Sequence, residues 1–468
     1  MKSVLTKKVI AAGLTLAMTV SFFSGCGNKV SDKDEQGRTM ISVGAWPAPG
    51  QKDLETMNQR KADFEKANPD VVVTGDQWKF DLKSFYAKAA GRQLPTVFNT
   101  NYTEVSQIIS AGYSADLTKV LKKRGYEGKF NKDVLSVISK DNKIYAFPKT
   151  AYVLGLSYNT ELFEKAGLME TDGTPKQPKD WEELREFAVK IKEATGKPGF
   201  VFPTAGNNGG WIFTPLAWSY GVEFMKKDGD KWKATFDTPE CAQALQYIKD
   251  LKWKYDVLPS NTLITSSEYF KIFGAGGAGM LITAGDVPVS VVQYGMKPDQ
   301  LGMMAMPKGP KKYVTLLGGS VWNIKGGSTD DQIDAAIRWL ELTNNYNATD
   351  EFIANKKKSL QKDLDENKLI GIKSMSPWSQ ETDAVKKEYA LIDEYANSNP
   401  NHVKLYNEFV ANCPAEIQPE EPVCAQELYA ILDNCIQEVL INKNADCAAI
   451  LKKANSDFQT NYLDNIDY

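Results

Sequence analysis

Histidine is almost absent from this chain, since His402 is the single one among 468 residues. A Ser-His-Asp triad requires a histidine beside its nucleophile, and a histidine-rich metal site requires several. His402 follows the polar run 397–401, and we interpret it as a solvated surface residue. The scarcity of histidine therefore argues against a triad enzyme and against a histidine-rich metal site.

Closely spaced cysteines are also missing. Cys413, Cys424, Cys435 and Cys447 are separated from one another by ten or more residues, whereas the cysteines of zinc sites usually stand two to four residues apart. Outside the cytoplasm these four could form one or two disulfides, or they could remain buried free thiols, and the sequence does not choose the pairing. We predict no metal and no cofactor.

Clusters of basic residues are lacking as well, because lysine and arginine are spread along a chain of formal net charge −3. The electrostatic footprint of a nucleic-acid binder is therefore missing. Beyond residue 25, no stretch is apolar for long enough to cross a membrane. These absences exclude nucleic acid as a partner and predict no membrane-spanning helix in the body of the chain.

The one long apolar run lies at residues 9–23, after Lys2, Lys7 and Lys8, which is the layout of a secretory signal peptide. It ends in Ser24-Gly25-Cys26, which resembles the bacterial lipobox, where the cysteine receives diacylglycerol before cleavage. We therefore predict a signal peptide over 1–25, a lipidated Cys26 and a polar tether over 26–38. The alternative is an ordinary secreted protein whose Cys26 lies near the cleavage point by chance.

The first third of the globular part alternates between strand and helix patterns. Apolar strands are predicted near residues 41–43, 71–73 and 96–98, with helical segments ending near 67 and 92. Alternation of this kind predicts an α/β fold with a parallel sheet, in which ligands gather at the carboxyl ends of the strands. Further on, Asp180 is placed to cap a helix that ends at Thr195-Gly196.

Several short blocks in this order resemble the bacterial extracellular solute-binding proteins of family 1. They are Tyr145-Ala146-Phe147-Pro148, Leu156-Ser157-Tyr158-Asn159, Phe273 with Gly276, Gly279 and Met280, Met306-Pro307, and Gly318-Gly319-Ser320-Val321-Trp322. The resemblance covers residues 39–345, with a looser match to the end. It implies a binding component of an ABC importer, chiefly for sugars and oligosaccharides, that works with permease subunits and is not an enzyme.

The resemblance also implies a two-lobed α/β fold of the periplasmic-binding-protein type, with a hinge that the chain crosses three times. Matching the blocks places the crossings near Thr150, Pro307 and Gly371. Lobe one would then hold residues 39–150 and 308–370, and lobe two residues 151–307 and 371–468. We expect a monomer, lipid-anchored at the extracytoplasmic face of the cell membrane.

Sugar sites combine flat aromatic rings with planar or charged polar groups, and loops of this chain offer both. The candidates for ligand contact are Trp46, Asn101, Tyr102, Tyr152, Trp211, Asp286 and Trp322. Trp211 occupies the region where the family stacks its ligand, and Asp286 stands where relatives often carry a tryptophan. Aromatics form 11% of the chain, so core packing competes with ligand contact at each position, and for Trp322 the two readings are equally weighted.

A rival interpretation comes from the glycine-rich segment 274–279, whose spacing matches a dinucleotide-binding loop. Such a loop must follow a strand and open a helix. Here the preceding residues are helical in pattern and the following ones strand-like, which is the reverse order. A surface-anchored carbohydrate-active enzyme is a further alternative, which would need two suitably spaced carboxylates, but among 59 acidic residues no single pair is informative. An adhesin is a third possibility. Saturable sugar binding without turnover would distinguish the transport component.

Overall fold

The computed structural model describes residues 32–285, 292–344 and 349–466. The predicted signal peptide, the lipidated Cys26, the start of the tether and Asp286 lie outside the described residues. The predictions for these positions are therefore not addressed by the structure.

The chain opens with alternating strands and helices, as the sequence predicts. The elements are β1 (Thr39–Val43), α1 (Leu54–Ala67), β2 (Val71–Gly75), α2 (Leu82–Ala90), β3 (Val97–Asn101), α3 (Tyr102–Ser110), α4 (Thr118–Lys123), α5 (Lys132–Ile138), β4 (Ser139–Lys140), β5 (Lys143–Ile144) and β6 (Ala146–Asn159). The parallel pairs β1–β2 and β1–β3 confirm a parallel sheet in this part.

The middle of the chain is mainly helical. It comprises α6 (Thr160–Lys165), α7 (Trp181–Thr195), α8 (Asn208–Ser219), β7 (Met225–Asp228), β8 (Lys231–Ala234), α9 (Pro239–Trp253), α10 (Ser266–Gly274) and β9 (Met280–Ala284). Asp180 caps α7 by accepting from the Glu183 amide at 2.9 Å, and Gly196 ends it with a φ of 71°. Helix α10 precedes the glycines and β9 follows them, which confirms the order that argued against a dinucleotide loop.

The last part returns to the sheet and then closes with helices. It comprises β10 (Leu301–Met304), β11 (Val314–Ile324), α11 (Asp330–Asn344), α12 (Asp350–Asp365), α13 (Asp383–Glu394), α14 (Lys404–Asn412), β12 (Glu416–Pro419), α15 (Ala425–Ile441) and α16 (Cys447–Asn461). Short 3-10 turns lie at Val292–Tyr294, Pro298–Gln300, Pro400–His402 and Leu463–Asn465.

Two long antiparallel strands, β6 and β11, tie the molecule together. The sheet order is β10-β6-β11-β3-β1-β2, with β12 on β11 and β9 on β6. Along β6, Phe147 and Val153 lie in one hydrophobic core while Leu156 and Tyr158 lie in another. The strands therefore cross from one core to the other, and the fold is the two-lobed α/β arrangement that the family resemblance implies.

The third passage between the cores runs along β12. Met375, Trp378 and Ala415 pack in the first core, although they fall in the segment predicted for lobe two. The chain enters the second core at Val423. Since Trp378 packs on the rings of Phe130 and Phe147, the segment around Trp378 is held by the first lobe.

His402 is buried, with 8% of its surface exposed, so its interpretation as a solvated residue is wrong. Its backbone carbonyl accepts from the Tyr158 hydroxyl at 3.2 Å. The 3-10 turn that carries it is thereby held against β6, and burial lowers the pKa of the imidazole. A polar run in the sequence did not reveal this tertiary contact.

The five cysteines in the described part of the chain are free thiols, and Cys241, Cys435 and Cys447 are buried. Over residues 32–285, 292–344 and 349–466, no group of histidine, cysteine or acidic side chains is arranged to hold a metal ion. Within those same ranges, no helix combines the length and the apolar character needed to traverse a bilayer.

Candidate ligand-binding cleft

A polar row crosses the strands where the two lobes meet. Ser320 of β11 stands opposite Asn101 of β3 on one side and Thr150 of β6 on the other. The Thr150 and Ser320 hydroxyls lie 2.8 Å apart. Asn101 is exposed and begins α3 without a side-chain capping bond. These short polar side chains can offer hydrogen bonds to a ligand. We call this junction of the two lobes, at Asn101, Thr150 and Ser320, the seam.

Two glycines of β11 let tyrosine rings lie against the strand. A β-carbon at Gly318 would stand 2.2 Å from the Tyr152 ring. At Gly319, whose φ is 153°, it would meet the Thr150 carbonyl at 2.2 Å and the Tyr102 ring at 2.9 Å. Tyr102 is thereby buried, with 3% exposed, whereas Tyr152 keeps a partly exposed ring.

Trp211 joins Tyr152 at this seam. Their rings meet edge to face, with centroids 6.3 Å apart and an interplanar angle of 86°. Both residues are partly exposed. The structure thus brings together two residues that the sequence proposed for ligand contact, one from β6 and one from the second lobe.

The loop before Trp211 is fixed to α15, which explains how the indole is positioned. Asp433 accepts hydrogen bonds from the Asn207 amide at 2.7 Å and the Gly210 amide at 2.8 Å. A β-carbon at Gly210 would stand 2.3 Å from the Tyr429 carbonyl. Glycine therefore allows α8 to approach α15, and the buried Asp433 satisfies the amides at its start. Burial also raises the pKa of Asp433, against the effect of these amides.

The segment Pro419-Glu420-Glu421-Pro422 supplies a carboxyl group that sequence reasoning missed. Glu420 accepts from the Tyr429 hydroxyl at 3.2 Å, and the Trp211 side chain acts to lower its pKa. It is partly exposed at the seam, and burial raises its pKa to about 8. The only sequence signal that could have indicated this carboxyl group is the pair of acidic residues between two prolines, just before a helix.

Its neighbour Glu421 points elsewhere. Glu421 is buried and accepts from the indole N–H of Trp218, a fully buried residue of the second lobe, at 3.0 Å. Burial raises its pKa to about 7. Glu421 is therefore part of the interior of the second lobe, whereas Glu420 belongs to the cleft.

A second unpredicted carboxyl group is buried in the first lobe, on the helix that meets the second lobe. Glu104 lies in the first turn of α3, with 4% exposed. Helix α3 contacts α15 of the second lobe, so the lobes meet here. Burial raises the pKa of Glu104 to about 7, with a further contribution from Glu427 of α15 and an opposing one from the Thr103 hydroxyl.

Trp322 lies two residues past the polar row, toward the first lobe. It stands between Asn99 and Phe147 on the neighbouring strands and is partly exposed. The Lys149 ammonium lies 4.7 Å from the centre of its ring. Trp322 is therefore next to the cleft rather than with Tyr152 and Trp211, and its contact with ligand remains a prediction.

The structure places Trp46 in the first core, away from the other candidate residues. It stacks on Trp339 with ring centroids 6.0 Å apart, inside the first core, and is 8% exposed. The register explains this, because Val43 at the end of β1 pairs with Val97 at the start of β3. Asn101 lies four residues beyond Val97 on β3, which is about 13 Å from Val97 at ~3.3 Å per residue. Ligand contact by Trp46 also remains a prediction.

Comparisons with known proteins agree with this architecture. Residues 42–344 match the family model for bacterial extracellular solute-binding proteins. A Brucella abortus binding protein is 31% identical over 192 residues, covering 40% of this chain and 43% of that protein. The chain thus spans less than half the length of that relative.

Two further proteins are similar over most of the chain. The diacetylchitobiose binding protein DasA of Streptomyces coelicolor is 24% identical over 419 residues, which is 86% of this chain and 93% of DasA. The structure of maltose-bound MalE3 from T. maritima superposes with a TM-score of 0.62 at 22% identity, over 90% of this chain and 99% of that one. At that identity the superposition shows the fold alone.

Proposed function

The chain belongs to the bacterial extracellular solute-binding protein family, and we propose that it captures a carbohydrate between its lobes for an ABC importer. The observation that carries this proposal is the pair Tyr152 and Trp211, whose partly exposed rings meet edge to face at the seam. Aromatic faces bind the C–H patches of sugars, and both residues of the pair are partly exposed.

Hydrogen-bonding groups surround these rings, as the hydroxyls of a sugar require. Asn101, Thr150 and Ser320 line the strands on one side, and Glu420 lies beside Trp211 on the other. Two proteins similar to this chain support the ligand class, since DasA is named for diacetylchitobiose and MalE3 holds maltose. We propose an oligosaccharide as the ligand, with Tyr102, Trp322 and Asp286 as further contacts.

The capture mechanism follows from the hinge. Ligand that binds both lobes at once stabilises the closed form, and the free energy of that preference drives closure. We further propose that Cys26 carries a lipid and that residues 27–38 form a tether at the extracytoplasmic face of the cell membrane. A monomer held there would deliver its ligand to permease subunits.

A thermal-shift screen of the chain from Gly27 onward, against mono- and oligosaccharides, tests the ligand class. A ligand that binds only the folded form raises the melting temperature by mass action. We expect a saturable shift with at least one oligosaccharide and no turnover. Formation of a product, or no shift with any sugar, would contradict the proposal.

Trp211→Ala then tests the site. We expect affinity for the bound sugar to fall about 30-fold, which corresponds to roughly 2 kcal/mol for a stacked aromatic anchor. Trp232→Ala is the matched control, because Trp232 is a partly exposed tryptophan of β8 outside the cleft. Equal losses in both variants, or none in Trp211→Ala, would show that Trp211 does not stack on the ligand.

A further inference from the structure

We propose that a cavity between α7 and α9, on the second lobe and apart from the cleft, binds an uncharged saccharide unit. We call it the outer cavity, and its walls include Glu182, Arg185, Tyr220, Gln243, Asp250 and Tyr255. Its volume is about 320 Å³, which is within the range of small-molecule sites. The inference goes beyond the proposed function and does not depend on it.

The outer cavity is separate from the cleft, although one helix reaches both. Trp211 lies in the first turn of α8, and Tyr220 directly follows its last residue. The nine residues from one to the other span about 13 Å at ~1.5 Å per residue, and residues 212–219 between them are buried. A ligand in one site therefore does not occupy the other, and the two can be filled independently.

A guanidinium group is held in the wall of the outer cavity. The guanidinium carbon of Arg185 lies 4.5 Å from the centre of the Tyr255 ring. Its Nη2 forms ion pairs with Glu182 at 3.0 Å and with Glu186 at 3.7 Å, and 18% of the side chain is exposed. Within the described ranges both ion pairs use Nη2, so Nη1 is left to donate to an acceptor on a ligand.

Hydrogen bonds fix the neighbouring side chains. The Tyr247 hydroxyl donates to the Trp181 carbonyl at 2.7 Å, and Tyr247 is buried. The Gln246 amide donates to Asp250 at 2.6 Å, and the Cys447 thiol donates to the Gln246 side-chain oxygen at 3.4 Å. The outer cavity is therefore largely preformed, which reduces the entropy that a ligand must overcome.

Two further polar groups of the outer cavity are left for a ligand. In the part of the chain that the structure describes, the Tyr220 hydroxyl and the Gln243 side-chain amide have no hydrogen-bond partner. Burial raises the pKa of Tyr220 to about 12, so its hydroxyl keeps its proton at neutral pH. Together with Arg185, these groups can both donate to and accept from the hydroxyls of a sugar.

The charges around the outer cavity favour an uncharged ligand. The Lys254 ammonium lies 5.0 Å from the centre of the Tyr255 ring that Arg185 also covers, so a cationic ligand would meet two positive groups. Glu182 and Asp250 supply negative charge in the same walls, which disfavours an anion. The two cations and the two acids leave these walls without net formal charge, which suits a neutral molecule rich in hydroxyls.

Site-resolved NMR of the chain from Gly27 onward tests the proposal, with glucose, N-acetylglucosamine and maltotriose as probes. The side-chain amide signals of Gln243 and Gln246 report on the outer cavity, and the indole signal of Trp211 reports on the cleft. We expect saturable shifts of the two glutamine signals with at least one probe at millimolar concentration. Shifts that do not saturate, or no shift with any probe, overturn the proposal whatever happens at Trp211.

Two mild substitutions test which groups hold the probe. Tyr220→Phe removes only a hydroxyl and Gln243→Ala removes an exposed amide, so both variants should fold. With Gln246 as the reporter, each should weaken binding roughly three- to tenfold, as the loss of one neutral hydrogen bond predicts. Gln361→Ala is the matched control, because Gln361 is an exposed glutamine of α12. No loss in either variant, or an equal loss in the control, refutes the assignment.

Charged probes test the ligand class. Choline carries a positive charge and galacturonate a negative one, and we expect both to bind the outer cavity more weakly than the neutral sugar. Tighter binding of either charged probe overturns the assignment of an uncharged saccharide.

Trp211→Ala separates the outer cavity from the cleft. The glutamine signals should respond to the probe as in the wild type, because the two sites are independent. If these responses disappear in Trp211→Ala, they reported a ligand in the cleft and the outer cavity is not a site. If the glutamine signals respond while the wild-type Trp211 signal responds to no sugar, the outer cavity is supported and the proposed function of the cleft fails.

Discussion

The ring of Tyr152 occupies the place where a side chain of Gly318 would stand, since a β-carbon there would lie 2.2 Å from the ring. Tyr152 belongs to β6 and Gly318 to β11, the two strands that pass from one core to the other. The absence of a side chain at residue 318 therefore sets the position of an aromatic ring at the seam.

Gly318→Ala should displace the Tyr152 ring, because Gly318 is not among the glycines with positive φ and its backbone accepts alanine. We expect a loss of about 1–3 kcal/mol in the free energy of unfolding from overpacking, with weaker sugar binding. Urea unfolding and calorimetric titration measure the two effects. Tyr152→Ala in the same chain should remove most of the stability loss caused by Gly318→Ala, and a purely additive double mutant would refute the contact.

Asp433→Ala should destabilise the start of α8 and loosen Trp211. It leaves two backbone amides without their carboxylate acceptor, for which we expect a loss of about 2–4 kcal/mol in urea unfolding, together with weaker sugar binding. Asp446→Ala is the control, since Asp446 also accepts from two amides, at the exposed start of α16. It should cost about 1 kcal/mol and leave binding unchanged. Equal effects on binding would deny Asp433 a positioning role.

Trp46→Phe separates core packing from ligand contact. The smaller ring leaves a gap beside Trp339, and we expect unfolding to become easier by about 1–3 kcal/mol. Because Trp46 is buried in the first core, sugar affinity should change less than about twofold. Trp339→Phe, which removes the other ring of the stack, provides the comparison. A large loss of affinity in Trp46→Phe alone would support the contact that the sequence predicts.

Glu421→Gln should stabilise the protein at alkaline pH. Its pKa is raised from 4.5 to about 7 by burial, so the folded state binds more protons than the unfolded state, and ionisation above pH 4.5 lowers stability progressively until about pH 7. The amide keeps an oxygen for the Trp218 indole and cannot ionise. We expect a gain of up to roughly 3 kcal/mol at pH 8, and almost none at pH 4, in urea unfolding. A gain that is the same at both pH values would contradict burial of the charge.

Local patterns predicted much of this fold correctly. The alternating strands and helices before residue 110, the cap at Asp180, the helix end at Gly196 and the order of α10 and β9 all depend on neighbouring residues. Hydrogen bonds between neighbouring residues and the periodicity of side chains determine such features, so they can be predicted from a single sequence.

The site was only partly predictable. Tyr152 and Trp211 are in ring contact, and Asn101 stands opposite Ser320 on the neighbouring strand, while ligand contact by all three stays a prediction. Glu104 and Glu420 were missed because charged residues are common, and nothing local indicates which of them a second lobe will bury. His402 was misread for the same reason, since it is buried and its backbone carbonyl accepts from Tyr158, 244 residues away in the chain.

By itself, then, the sequence determined the fold class and the family, through periodicity and the order of short blocks. The tertiary structure alone decided which residues share the cleft. Strand register placed Trp46 in the core and Asn101 at the seam, although both lie at the carboxyl ends of strands. The packing of α8 on α15 set the position of Trp211, and Glu104 is buried in α3, which contacts α15. Register and interlobe contact join residues that are far apart in the chain, and no local pattern encodes those distances.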